Sequence, residues 1–167
     1  MISFGGLPGT GKSTIALAVA ERLGATYLRI DTIEQAIRDA RPGAIGPEGY
    51  MVACALAETN LRLGRLVIAD SVNPWPETRQ GFRDAAARAG VSVLEVECVC
   101  ADPTEHRRRV ETRSATVAGL KLPSWDDVVK RDYRAWPEPH LVLNTAMLNA
   151  EAACVMVCGA VETKKGA

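Results

Sequence analysis

"GGLPGTGKST", residues Gly5–Thr14, decides how this chain is read. Within it Gly6, Gly11, Lys12 and Ser13 fit the spacing G-x-x-x-x-G-K-[ST]. Glycines let the backbone wrap tightly, so that successive N–H groups point inward at an anion. A helix beginning near Lys12 would present its positive N-terminal end to the same anion. Lys12 can then reach β- and γ-phosphates, and the Ser13 hydroxyl can ligate Mg²⁺. Gly9, Thr10, Gly11, Lys12, Ser13 and Thr14 are accordingly the candidate nucleotide-binding positions. Residue usage points the same way. The chain has fifteen Arg and five Lys, and Lys12 is its only Lys before residue 121. A sequence that otherwise chooses Arg has placed a compact point charge here.

Outward from that stretch, five apolar runs read as strands: Ile2–Phe4, Tyr27–Ile30, Arg65–Ala69, Val91–Cys100 and Leu141–Leu143. Helical patterns separate them at Lys12–Leu23, Glu48–Leu63, Glu77–Ala89, Pro103–Arg113 and about Asn149–Val161. Strands alternating with helices predict βαβ units, a parallel sheet and helices on both faces, a three-layer α/β fold. Asp102 with Glu105, and Ser124 with Asp127, read as helix starts, the first with Pro103 at the first helical position. Ser114–Pro123, "SATVAGLKLP", has no clear period and is expected to be a mobile lid.

At 167 residues the chain suits one domain, expected to span 1–167. Twenty acidic residues balance twenty basic ones. A neutral chain carries no broad footprint for a nucleic-acid backbone or an anionic membrane, which disfavours both as partners. No signal-like segment precedes the first motif, and the longest apolar tract is broken by Asn149 and Glu151. Five cysteines, an odd count, then predict reduced thiols and a cytoplasmic location. Metal-knuckle C-x₂-C spacing is absent, so the cysteines read as core residues.

A phosphate loop alone does not separate kinases from GTPases or motor ATPases. No N-K-x-D guanine motif is present, and a motor would be expected in a longer chain. A small-molecule kinase needs a base for the acceptor hydroxyl, an acid that organises the metal, and arginines for the transferring group. Asp31, at the end of the second predicted strand, is the candidate base, since open α/β sheets place ligands there. It also forms a D-x-x-E capping box with Glu34. Asp70, closing "RLVIAD", reads as a second Mg²⁺ ligand beside Ser13, or as a strand-end turn residue. Arg109 and Arg113, four apart, would share one helix face leading into the lid and serve as catalytic arginines with Lys12. Arg29, Arg38, Arg107, Arg108 and His106 read as surface positions. Trp125, Tyr133 and Trp136 read as packing for the lid-side helix.

These residues resemble the small P-loop kinases grouped with zeta toxins, chloramphenicol phosphotransferase and the kinase domain of polynucleotide 5′-kinases, including members labelled AAA-family ATPases. The resemblance rests on "GLPGTGKST", "RID", "ADPTEHRRRVETR", "GLKLPSWDDVVKRDYRAW" and "HLVLNTA". It implies a nucleoside-kinase-like fold with strand order 2-3-1-4-5, ATP with Mg²⁺ as donor, and an acceptor hydroxyl near Asp31. It also implies Arg109 or Arg113 as lid arginines. The expected activity is γ-phosphoryl transfer to a hydroxyl of a small molecule by a monomer or homodimer. A polynucleotide or nucleotide-conjugate kinase and a non-catalytic ATP-responsive module are the alternatives. Acceptors tend to bind around Pro42–Tyr50 in such kinases, and that stretch carries no recognisable substrate motif.

Overall fold

The computed structural model describes residues 1–41 and 43–165. Pro42, the first residue of the expected acceptor region, and Gly166 and Ala167, at the end of the expected domain, lie outside the described residues. Twelve elements follow in order: β1 Ile2–Gly5, α1 Lys12–Leu23, β2 Thr26–Arg29, α2 Ile30–Ala40, α3 Glu48–Arg62 and β3 Val67–Asp70. Then come α4 Pro76–Arg88, β4 Leu94–Val99, α5 Pro103–Thr112, α6 Trp125–Val129, β5 Leu141–Asn144 and α7 Ala150–Lys165.

The strands form one parallel sheet in the order β2-β3-β1-β4-β5. Alternate strand side chains point to opposite faces. Ile2, Phe4, Ile68, Val96, Cys98 and Leu143 pack with Ile15, Val19 and Val157 of α1 and α7. Val67 and Ala69 face the other way, onto Ala53, Ala57, Leu61 and Phe82 of α3 and α4. The expected α/β fold and strand order are both present. All five strands run the same way, so Arg29, Asp70, Gly5, Val99 and Asn144 end on one edge, where such sheets bind ligands.

Local chemistry explains where elements begin. The Asp102 carboxylate accepts from the Thr104 and Glu105 amides, and Pro103 opens α5. Glu105 does not return the bond; its carboxylate takes Arg108 and Arg109 instead, so the expected box is half-formed. At α6 the Ser124–Asp127 box is complete. The predicted Asp31–Glu34 box is absent. α2 begins at Ile30, its cap position is Arg29, and no side chain caps it. Asp31 therefore lies inside the first helical turn, which frees its carboxylate from capping. The cysteines are all free, three of them buried, and no cluster of metal-ligating side chains occurs among the described residues. No described helix is long and apolar enough to cross a membrane.

Candidate active site

The loop between β1 and α1 is held open from several sides. The Gly6 amide donates to the Val72 carbonyl (3.0 Å), and the Thr10 hydroxyl to Leu7 (2.9 Å). At Gly6 (φ 138°) a Cβ would run into the Cys98 carbonyl, so no other residue fits between β1 and β4 here. Gly11 sits in the left-handed region (φ 81°) and caps α1 without a side-chain bond. The first-turn amides of α1 are thereby left for an anion. Lys12 is buried (7% exposed) and, among the described residues, its ammonium has no hydrogen-bond or ion-pair partner. An unmatched ammonium on a buried stem, facing a pocket beside free amides, is a site built for negative charge.

α5 supports this loop from outside. His106 is buried, 7% exposed, and its Nε2 donates to the Pro8 carbonyl at 2.8 Å. Trp125 meets the imidazole edge-on, with centroids 5.2 Å apart. The expectation of a surface His106 is therefore wrong; spacing along a helix does not say which turn faces the loop. His106→Ala is expected to destabilise the fold by about 1–3 kcal/mol, since a buried carbonyl loses its donor. ATP affinity should fall with it. Urea denaturation and nucleotide titration check both, and unchanged ATP affinity would separate the histidine from the loop.

Asp70 is almost fully buried (1% exposed). Tyr27 donates its hydroxyl to Asp70 Oδ2 at 2.6 Å, and Arg29 Nε lies 3.8 Å from the same oxygen. Burial first, and the Asp70 charge second, push the Tyr27 phenol up, so it stays a donor. Asp70 Oδ1 is buried and has no hydrogen-bond partner among the described residues. An orphaned carboxylate oxygen at the strand end, beside the loop that carries the Ser13 hydroxyl, fits the hard-oxygen donor set of Mg²⁺.

Asp31 faces this group across Arg29. Arg29 Nη2 approaches Asp31 Oδ2 at 3.3 Å, while Nη1 donates to Thr116 Oγ1 of the segment Ser114–Pro123 at 2.7 Å. One guanidinium thus joins the candidate base, the candidate metal acid and the candidate lid. Arg29 is not a free surface residue, contrary to expectation. Tyr27 and Arg29, two apart on β2, share a face by strand alternation. Arg38, as expected, is a surface residue paired with Glu34 (3.1 Å).

The two candidate arginines differ in their surroundings. α5 ends at Thr112, but the Arg113 amide still donates to the Arg109 carbonyl (3.2 Å), so both side chains leave the same face and line the same pocket, and only beyond Arg113 does the chain turn extended. Arg109 donates to the Thr145 hydroxyl (2.9 Å) and carbonyl (3.0 Å) beyond β5. Arg113 turns toward the end of β2 and is half-buried. Its Nε has no hydrogen-bond partner among the described residues. Burial lowers its pKa against the pull of Asp31. Arg107 and Arg108 pair with Glu111 and Glu105 at the surface. Tyr133 and Trp136 do not pack the lid-side helix. Tyr133 donates to Glu97 at 2.7 Å, and Trp136 lies under Arg79 (5.0 Å) against Gly5, where a Cβ would collide with its ring.

Two pockets meet at this edge. One, of about 340 Å³, is lined by Gly9, Gly11, Lys12, Ser13 and Thr14 on one side. Arg29, Arg108, Arg109, Arg113 and the lid residues Ser114, Thr116 and Leu122 line the other. A second, of about 710 Å³, begins at Ile30 and Asp31 and runs between α3 and α4. Asp31 lines the larger pocket, two residues from Arg29 in the smaller one.

The family profile for an AAA domain, AAA_33, matches residues 1–130. The chain belongs to this family. It is 34% identical over 108 residues to an uncharacterized protein of Mycobacterium tuberculosis, covering 56% of this chain and 22% of that protein. The chain thus spans well under two thirds of the length of the curated relatives it matches. Among solved structures, a candidate kinase from Chloroflexus aurantiacus superposes with a TM-score of 0.76 at 19% identity, covering 97% of this chain and 95% of that one. The M. tuberculosis APS kinase CysC, in complex with AMPPNP and APS, gives 0.71 at 21% identity and 96% of each chain. A gluconokinase from Sinorhizobium meliloti gives 0.64 at 16%, covering 98% and 95%. The fold is that of the P-loop kinases.

Proposed function

We propose that this AAA-domain protein is an ATP-dependent phosphotransferase that moves the γ-phosphoryl group to a hydroxyl of a small molecule. The observation that carries the reading is the position of Asp31, on the wall between a cationic phosphate-sized pocket and a larger, mostly apolar one. Loop amides and Lys12 would hold the triphosphate in the first pocket, and the acceptor would enter the second. As the acceptor oxygen bonds to the γ-phosphorus and the β–γ bridging bond breaks, Asp31 takes the hydroxyl proton and ADP leaves. Lys12, Arg113 and Arg109 stabilise the charge spread over the transferring group. Ser13 and Asp70 would hold Mg²⁺, which neutralises phosphate charge when bound. The resemblance to the zeta toxin and chloramphenicol phosphotransferase group supports the same class.

Incubation with ATP–Mg²⁺ and a panel of alcohols, read as ADP formation above the basal rate, tests the reading. Transfer to a 5′-hydroxyl oligonucleotide in preference to every small alcohol would replace it with the polynucleotide kinase alternative. The lid has its own test. Limited proteolysis should cut within Ser114–Pro123, and nucleotide with acceptor should protect that stretch. Equal cutting with and without ligands would remove lid closure from the mechanism.

A further inference from the structure

Arg29 closes β2 directly beside Asp70, its partner in the β2–β3 register. Its side chain is 19% exposed and lines the smaller pocket with Lys12. Three groups meet on this guanidinium, and they are held unequally. Nη1 donates to the hydroxyl of Thr116, in the candidate lid, at 2.7 Å. Nη2 reaches Asp31 Oδ2 at 3.3 Å, a long contact for an ionic pair. Nε stands 3.8 Å from Asp70 Oδ2, beyond hydrogen-bond reach, and that oxygen already takes the Tyr27 hydroxyl at 2.6 Å. Nε is itself buried without a hydrogen-bond partner among the described residues. The lid hydroxyl is thus the shortest tie on the guanidinium.

The base, by contrast, is held by Arg29 and little else. Among the described residues Arg29 is the one group that pairs with the Asp31 carboxylate, and it engages a single oxygen. Arg113 feels the Asp31 charge without pairing with it, and Glu34 is engaged by Arg38 at 3.1 Å. Asp31 and Asp70 both act on the Tyr27 phenol, so the two carboxylates are close enough to repel each other, and the guanidinium stands between them. A planar fork with five N–H donors in fixed directions can face a hydroxyl and two carboxylates at once. A lysine ammonium, a compact point charge, cannot span the same three partners.

We infer that Arg29 is a positioning residue for the transfer: the lid fixes Arg29 through Thr116, and Arg29 fixes the Asp31 carboxylate that takes the acceptor's proton. The inference rests on the kinase reading. When Thr116 withdraws, the guanidinium loses its shortest bond and the base its orientation, so chemistry waits for the lid. A double-mutant cycle tests this, with ADP formation at saturating ATP–Mg²⁺ as the rate and water or glycerol as the acceptor. Arg29→Met should slow the parent about tenfold to a hundredfold, but Asp31→Asn by less than about threefold, because a residue that acts through Asp31 then has nothing to act on. Arg29→Lys should recover little of the loss. In the unliganded chain, Arg29→Met and Thr116→Val should both speed proteolysis within residues 114–123. Thr116→Val removes one exposed hydroxyl, so it keeps the test decisive where Arg29→Met does not fold, and its loss of rate should likewise vanish in Asp31→Asn. An equal loss in both backgrounds would make Arg29 a direct phosphate ligand and overturn the inference. So would full rescue by Arg29→Lys, or cutting at the parent rate in both variants. A parent chain that transfers to neither water, glycerol nor any alcohol of the panel would instead overturn the kinase reading, and the positioning role with it.

Discussion

Lys12→Ala should abolish most of the stabilisation that ATP–Mg²⁺ confers. For the unmodified chain, ligand at about a hundred times Kd contributes roughly 2.7 kcal/mol. In a domain of this size that raises Tm by about 5–11 °C. Lys12 is buried and unpartnered among the described residues, so its ammonium is available to the phosphates in full. Truncating one member of a buried charge pair typically costs about 2–5 kcal/mol. ATP binding should therefore weaken at least about thirtyfold, and the shift at the same ATP concentration should fall to about a third or less. The ammonium has no partner among the described residues, so the unliganded variant loses only the packing of the Lys12 stem and should stay close to the parent in stability. Differential scanning fluorimetry with and without nucleotide reads both. A full ATP shift in the variant would mean that the triphosphate lies elsewhere.

Asp31→Asn should leave that shift in place and remove the chemistry. The substitution keeps size and position but deletes the proton acceptor, and positioned general bases contribute about 10²–10⁴-fold. Phosphoryl transfer should drop by that factor with ATP affinity nearly unchanged, because Asp31 lines the larger pocket and not the smaller one that holds Lys12. The Arg29 contact at 3.3 Å weakens in the variant, which predicts a modest rise in lid mobility around Thr116. Equal transfer rates in the two proteins, with ATP still bound, would favour the ATP-responsive binding module over an enzyme.

Legibility in the sequence tracks the range of the interactions involved. The phosphate loop is local: glycines, lysine and serine at fixed spacing specify its conformation almost alone, and α1 starts where Lys12 predicts. The strands are also local, since short apolar runs between helical patterns leave few other readings. The place of Asp70 at the end of β3 was readable because strand end and apolar run coincide. The roles of Arg29 and His106 were not readable. Each depends on a partner 85 or more residues away, Thr116 for Arg29 and Pro8 for His106, and no single-chain pattern encodes such a pairing. The shared face of Arg109 and Arg113 was readable from their spacing, but their separate partners, Thr145 for one and the field of Asp31 for the other, were not. The Asp31–Glu34 box misled because the same residue types also suit the first helical turn.

The central claim is that a triphosphate held by the loop and an acceptor held between α3 and α4 meet at Asp31. A crystal structure with AMPPNP and Mg²⁺ tests it most directly. The account predicts the triphosphate wrapped by residues 6–13, its terminal phosphorus turned toward Asp31, and the metal between Ser13 and Asp70. A terminal phosphate pointing away from Asp31, or a metal bound without either ligand, would contradict it.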